Sequence, residues 1–264
     1  IGYTAGCDDQ GYYSVAIGSG AGKLDQGQYS VAIGDEAACD NQGNYCVAVG
    51  QAAGLNAQGQ YSVAVGFESG SADQGANSIA IGRRAGYDDQ GYDAVAVGYL
   101  AGSGDQGNYS VAVGQQAGRA TQGNNATAIG YTAGCNAQGA SATAVGFGSG
   151  FNQQGTRATA IGEIAGSVSQ GYYAVAVGLA AGRNSQGTSC VAVGHDAGSN
   201  QQGNYAIAIG WAAGANSQPT NTFRTRFASV RNANGNEYLH ITTGGEFVRG
   251  NGYSDDRLKY DEKF

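Results

Sequence analysis

Few residues in this 264-residue chain have the chemistry of an active site. There are two histidines, His195 and His240, and five cysteines, Cys7, Cys39, Cys46, Cys135 and Cys190. No set of His, Cys, Asp and Glu shows the close spacing of a metal centre, and neither a phosphate-cradling glycine loop nor a nucleophile elbow occurs. Turnover of an external substrate is not expected, and no cofactor is implied. Recognition is better supplied. Phe67, Tyr99, Tyr131, Phe147 and Trp211 fall at one position of a recurring pattern, alternating with Asp35, Arg83, Glu163 and His195. Variable, bulky residues on a turn are where binding tends to reside, so these five aromatic residues are the binding candidates.

The pattern that places them is a repeat of the unit Ser14-Val15-Ala16-Ile17-Gly18. Its glycine returns every 16 residues from Gly18 to Gly210, and a Gln-Gly pair recurs in phase with it from Gln10-Gly11 to Gln202-Gly203. A fixed period without insertions is the mark of a solenoid. One coil cannot bury its own apolar face, so coils stack and bury it on each other. Two short strands and two turns fit in a coil of this length, which predicts a flattened two-sided roll in which Ser19-Gly20-Ala21-Gly22 is the second stretch and a polar turn ends in Gln-Gly. Parallel stacking at about 4.8 Å per coil makes a rod of roughly 60 Å. The stacked glutamines are expected to form an amide ladder, and the tyrosines before the strand, among them Tyr13, Tyr29, Tyr45 and Tyr61, an aromatic one.

Successive side chains of a strand point to opposite faces. One face of the unit carries the pair Val15 and Ile17, the other Ser14 and Ala16. Both are apolar or small, the pattern of a strand covered on both sides. The alanine column is invariant along the chain: Ala16, Ala32, Ala48, Ala64, Ala80, Ala96, Ala112, Ala128, Ala144, Ala160, Ala176, Ala192 and Ala208. Something approaches there too closely for a larger side chain, and the column is expected to be a subunit interface. In three consecutive coils Thr127, Thr143 and Thr159 replace the first β-branched residue. If buried, their hydroxyls need backbone, water or anion partners.

Composition agrees with an elongated fold. Leu, Ile, Val and Phe total 42 residues, few enough to suggest disorder, yet disorder has no reason to keep Val and Ile in phase. The 48 glycines and single proline exclude collagen. The net charge of −7 is concentrated up to Gln218, where 6 Lys and Arg face 14 Asp and Glu. That stretch offers no basic stripe for nucleic acid. No apolar run is long enough to insert in a membrane. Cys7, Cys39 and Cys135 share one column and Cys46 and Cys190 another, so the cysteines are read as free packing thiols. The absence of an initiator methionine suggests a piece of a longer chain.

Units of the form Ser-Val-Ala-Ile-Gly followed by x-x-Ala-Gly and a polar turn resemble the head domains of trimeric autotransporter adhesins. The Gln-Gly version resembles the shafts of phage and large-virus fibres. The resemblance spans residues 1–218 and implies an all-β, left-handed parallel β-roll whose three copies pack about one axis as a homotrimer.

Pro219 stands where the column calls for glycine, and the roll is expected to stop there. Beyond it Phe223, Thr225 and Phe227 alternate with arginines, Asn234-Gly235 is a hairpin turn, and two further strands around Gly244-Gly245 complete a β-meander neck over 219–253. Residues 254–264 resemble the start of the self-cleaving intramolecular chaperone of endosialidase-type tail spikes. That resemblance implies Ser254 as the nucleophile on its own peptide bond and Lys259 as its activator. The chaperone body is missing, so no cleavage by this chain is expected.

The function these readings imply is a trimeric fibre segment of a virus or phage, on the virion surface or otherwise extracellular, serving attachment to a glycan or protein receptor on a host surface. A cellular surface adhesin of the autotransporter type is the alternative. A monomeric ice-binding solenoid would need a flat exposed array of threonines, which the repeat lacks.

Overall fold

A computed structural model describes residues 1–225 and the backbone of 237–241 and 247–251. The first unit, Ile1–Thr225, is a parallel β-solenoid of about thirteen 16-residue coils. Among the described residues no helix is long and apolar enough to cross a membrane. The front wall is a 14-stranded parallel sheet running from Val15–Ile17 to Phe223–Thr225. Register is strict: Ala112 lies between Ala96 and Ala128, and Val113 between Val97 and Ile129.

The back wall is made by the polar stretch that ends in glutamine, which the sequence suggested was a turn. It pairs as strands at Leu24–Gln26 and Asp40–Gln42, as single bridges through Gln58, Gln74 and Gln90, and as eight strands from Asp105–Gln106 to Asn216–Gln218. The Ala-Gly stretch forms the turn instead. Its peptides stack on the next coil too, for example Gly118 N–H on Ala133 O at 2.9 Å. Walls and turns alike hydrogen-bond to neighbouring coils, so few backbone groups are left for solvent.

The recurring glycine is forced by this stacking. Gly114 has φ +125°, and a Cβ there would sit 2.6 Å from the carbonyl oxygen of Gly130 in the next coil. At Gly118, φ +54°, a Cβ would meet the side-chain oxygen of Gln122 at 2.8 Å. Tyr13, Tyr29, Tyr45 and Tyr61 also hold φ between 57° and 61°, a conformation costing a non-glycine residue about 1–2 kcal/mol. Inter-coil hydrogen bonds such as Tyr61 N–H to Asn44 O, 3.0 Å, hold it in place.

The interior is narrow and built of alanine and glutamine. Ala32, Ala48, Ala64 and the rest of the column to Ala208 are 0 % exposed within one chain, packed on the Ala21 and Ala37 positions of the turn. The buried glutamines fill the remaining width. Gln122 donates from Nε2 to Val111 O at 2.8 Å, across the coil, and to Gln138 Oε1 at 3.1 Å, along the rod. The expected amide ladder is present in segments, since Oε1 of Gln42, Gln74 and Gln170 is buried without a partner. Ser62 and Ser110, beside the alanines, bond their hydroxyls to Gly59 O and Gly107 O.

The front wall continues one strand beyond Pro219. Phe223–Thr225 pairs in register with Ile207–Ile209, placing Arg224 opposite Ala208. Arg224 is exposed, and a residue of that size in the alanine column marks the last coil. The strand read from sequence as part of the neck thus belongs to the roll. The second unit, Arg226–Phe264, contains an antiparallel hairpin of Glu237–Ile241 and Phe247–Asn251.

Candidate binding surface

In-register coils convert a 16-residue sequence spacing into contact between side chains. The turn residue after each glycine therefore meets its equivalents above and below. Phe67, Tyr99, Tyr131, Phe147 and Trp211 all lie exposed on this turn, from 37 % for Phe67 to 56 % for Trp211. Tyr131 and Phe147 stack with centroids 5.2 Å apart and planes 10° apart. Arg83 sits between Phe67 and Tyr99, its guanidinium carbon 5.7 Å and 5.6 Å from the ring centres. Trp211 Nε1 donates to His195 Nδ1 at 3.0 Å, and His195 Nε2 lies 3.4 Å from an Asp196 carboxylate oxygen. The next residue of the turn carries an ion pair between Arg84 and Glu68, which holds the Arg84 guanidinium pKa above its ordinary value. The candidates thus form parts of one column rather than a pocket.

The tyrosine column stacks as its spacing suggests. Tyr13, Tyr29, Tyr45 and Tyr61 have successive centroids 5.1 Å apart. Their faces are turned to each other, an arrangement suited to stiffening the rod. Arg157 replaces tyrosine in the column and lies over Tyr173, 5.6 Å from its ring centre.

The alanine column is not a subunit interface. Its side chains are enclosed by their own coil, so no sister chain reaches Ala16 to Ala208, and the close approach comes from the opposing turn. The Val/Ile face is the open one. Val15 and Ile17 are 42 % and 40 % exposed, and strand after strand shows a buried alanine between two partly exposed branched residues. Thr127, Thr143 and Thr159 belong to this outer face and are half-buried, which removes the need for water or anions inside the coil.

The cysteines are all free. Cys46, Cys135 and Cys190 are buried, and desolvation pushes each thiol pKa above its ordinary value. Cys46 and Cys190 stand in the serine position and bond glycine carbonyls as serine does, Cys46 Sγ to Gly59 O at 2.9 Å. Ser254 and Lys259 lie outside the described residues.

Sequence reasoning missed the Val/Ile face as the unpartnered surface and Arg83 as a held cation. The glutamine column carried a usable signal for the first. A side chain long enough to span the coil needs small residues opposite, which puts alanine inside and valine outside.

Comparison with curated proteins and with solved structures gives no match. The profile of the YadA head domain repeat matches in two copies, at residues 57–85 and 90–117. The coils it matches have the same strand, turn and glutamine positions as those before and after them. Residues 57–85 and 90–117 of the roll are therefore similar to the YadA head domain repeat.

Proposed function

We propose that this chain is a stiff segment of a homotrimeric fibre on the surface of a virus or phage, holding an attachment function toward a host surface, with three left-handed rolls joined through their Val/Ile faces. The observation that carries it is the open apolar wall. Two columns of Val and Ile over a sheet about 60 Å long and 10 Å wide make a stripe of roughly 600 Å², at the upper end of what a monomer leaves uncovered. Head domains of the YadA type form homotrimers, and a parallel stack of identical coils offers each neighbour the same ridge at the same height. The acidic roll disfavours nucleic acid as a partner, and a glycan or protein receptor is the partner that attachment implies. In this reading the part of 219–253 that follows the roll's last strand at Thr225 serves as a neck. Ser254 and Lys259 are, in this reading, the self-cleavage pair of an intramolecular chaperone.

A cellular adhesin head is the second reading, favoured by the same match to YadA-type repeats. Immunogold electron microscopy with an antibody against the roll separates the two. Label on fibres projecting from particles supports the first, and label on a cell envelope supports the second. Label confined to a particle core or to cytosol contradicts both.

A further inference from the structure

Among the described residues Arg83 is the cation with an aromatic ring on each side. Arg84, beside it, is paired with Glu68 and lies over Tyr87, and Arg157 donates to the Tyr173 hydroxyl. Among the described residues the Arg83 guanidinium has no carboxylate within ion-pair distance and no hydrogen bond, although its backbone carbonyl accepts from Leu100 N–H at 3.0 Å. It is held instead by Phe67 and Tyr99, at 5.7 Å and 5.6 Å from its guanidinium carbon. Rings on both sides restrain a guanidinium through cation–π attraction and leave its N–H groups unused. A guanidinium carries five donors in a rigid fork that matches a carboxylate or a sulfate two bonds at a time.

We propose that Arg83, between Phe67 and Tyr99, is the anion-binding centre for an acidic sugar bearing a single carboxylate or sulfate, with the exposed edges of the two rings bordering the apolar C–H face of that sugar. The inference rests on the attachment reading and names its ligand class. The charge balance selects a singly charged sugar over a polyanion: up to Gln218 the roll has 14 acids against 6 bases, so a highly charged chain is repelled along its length. One anionic group at Arg83 feels mainly its immediate surroundings, since other charges are screened beyond about 8 Å at physiological salt. Glu68, in the adjoining turn column, is already neutralised by Arg84.

The test is a titration of the whole chain, followed by nuclear magnetic resonance, with 3′-sialyllactose, lactose 3′-sulfate and lactose. Arg83→Gln, Arg83→Lys and, as a charge-matched control, Lys23→Gln are titrated in parallel. At least one charged sugar is expected to bind at least about tenfold more tightly than lactose, and Arg83→Gln to lose about tenfold or more of that affinity. Arg83→Lys does not restore it, because an ammonium lacks the fork, while Lys23→Gln binds as the parent does. Binding of only one charged sugar identifies the carboxylate or the sulfate as the source. The proposal is overturned if neither charged sugar binds, if lactose binds equally, or if Arg83→Gln retains the affinity. Native mass measured on the same samples keeps the two claims apart. An intact trimer without sugar binding removes this inference and leaves the attachment reading, whereas a monomer that binds sugar through Arg83 does the reverse.

Discussion

Replacing Ala112 by Leu discriminates sharply between an alanine column inside the coil and one at a subunit boundary. Ala112 is fully buried, and a Cβ built on Gly118 of the facing turn would lie only 3.3 Å from the Ala112 Cβ. The space beyond is taken by Gln122, whose amide is bonded across the coil to Val111 O. Leucine adds three carbons against backbone that cannot rotate away. Overpacking of this kind costs about 1–3 kcal/mol, and rigid surroundings place it at the upper end. The strain falls first on the adjoining coils of Ala96 and Ala128, because a solenoid couples nearest neighbours. A loss of about 3 kcal/mol corresponds to a melting temperature lower by roughly 6–12 °C for a chain of this size. Circular dichroism melting read together with native mass is the assay. The expected result is a lower melting temperature caused by damage within each roll. An unchanged melt with subunits separated would refute the reasoning, since it would place Ala112 between chains.

Val113→Asp should do the opposite of Ala112→Leu. Val113 is only partly buried in one chain, so the β spectrum is retained while the native mass drops, because burying unpaired carboxylates between subunits costs several kcal/mol in total; an unchanged mass would contradict the assignment of that face. Gln122→Leu keeps volume but deletes the donors to Val111 O, Ala126 O and Gln138 Oε1, and denaturant unfolding should show a loss of about 2–5 kcal/mol. A loss below about 0.5 kcal/mol would mean that the ladder does not hold the walls together. The buried thiols give an alkaline limit. Because burial raises the folded pKa of Cys46, Cys135 and Cys190 above the ordinary value of 9.0, their contribution to stability is complete below that pH and is lost as pH rises through the folded pKa values. Cys46→Ser with Cys190→Ser, which restores the residue found at Ser62 and Ser110, should make the decline measured by unfolding between pH 8 and 10 shallower.

The architecture could be read from spacing because a solenoid writes its geometry into its period. The glycine column, the tyrosine stack and the glutamine ladder all follow from coils placed in register, and the structure holds each where the period puts it. The sidedness of the sheet could not be read the same way. Alternation along Val111-Ala112-Val113 separates two faces but does not name the inner one, and both faces here avoid charge. Volume decides it: a coil this thin has room for methyl groups and one extended amide, so the larger apolar residues go outside. The back wall was obscured for a related reason. Asp25, Asn41 and Ser185 have positive φ within it, which gives the strand the composition of a turn. The recognition column was visible as a pattern of residue types, but the clamp on Arg83 needed the stacking of Phe67, Arg83 and Tyr99 in three successive coils.

The central claim is that the Val/Ile walls of three chains close on one another, and the native mass of the purified chain in solution measures that directly. Light scattering across a range of concentrations should give three times the 26.5 kDa chain mass. A steady value of one chain mass, with the Val/Ile wall left facing solvent, would contradict it.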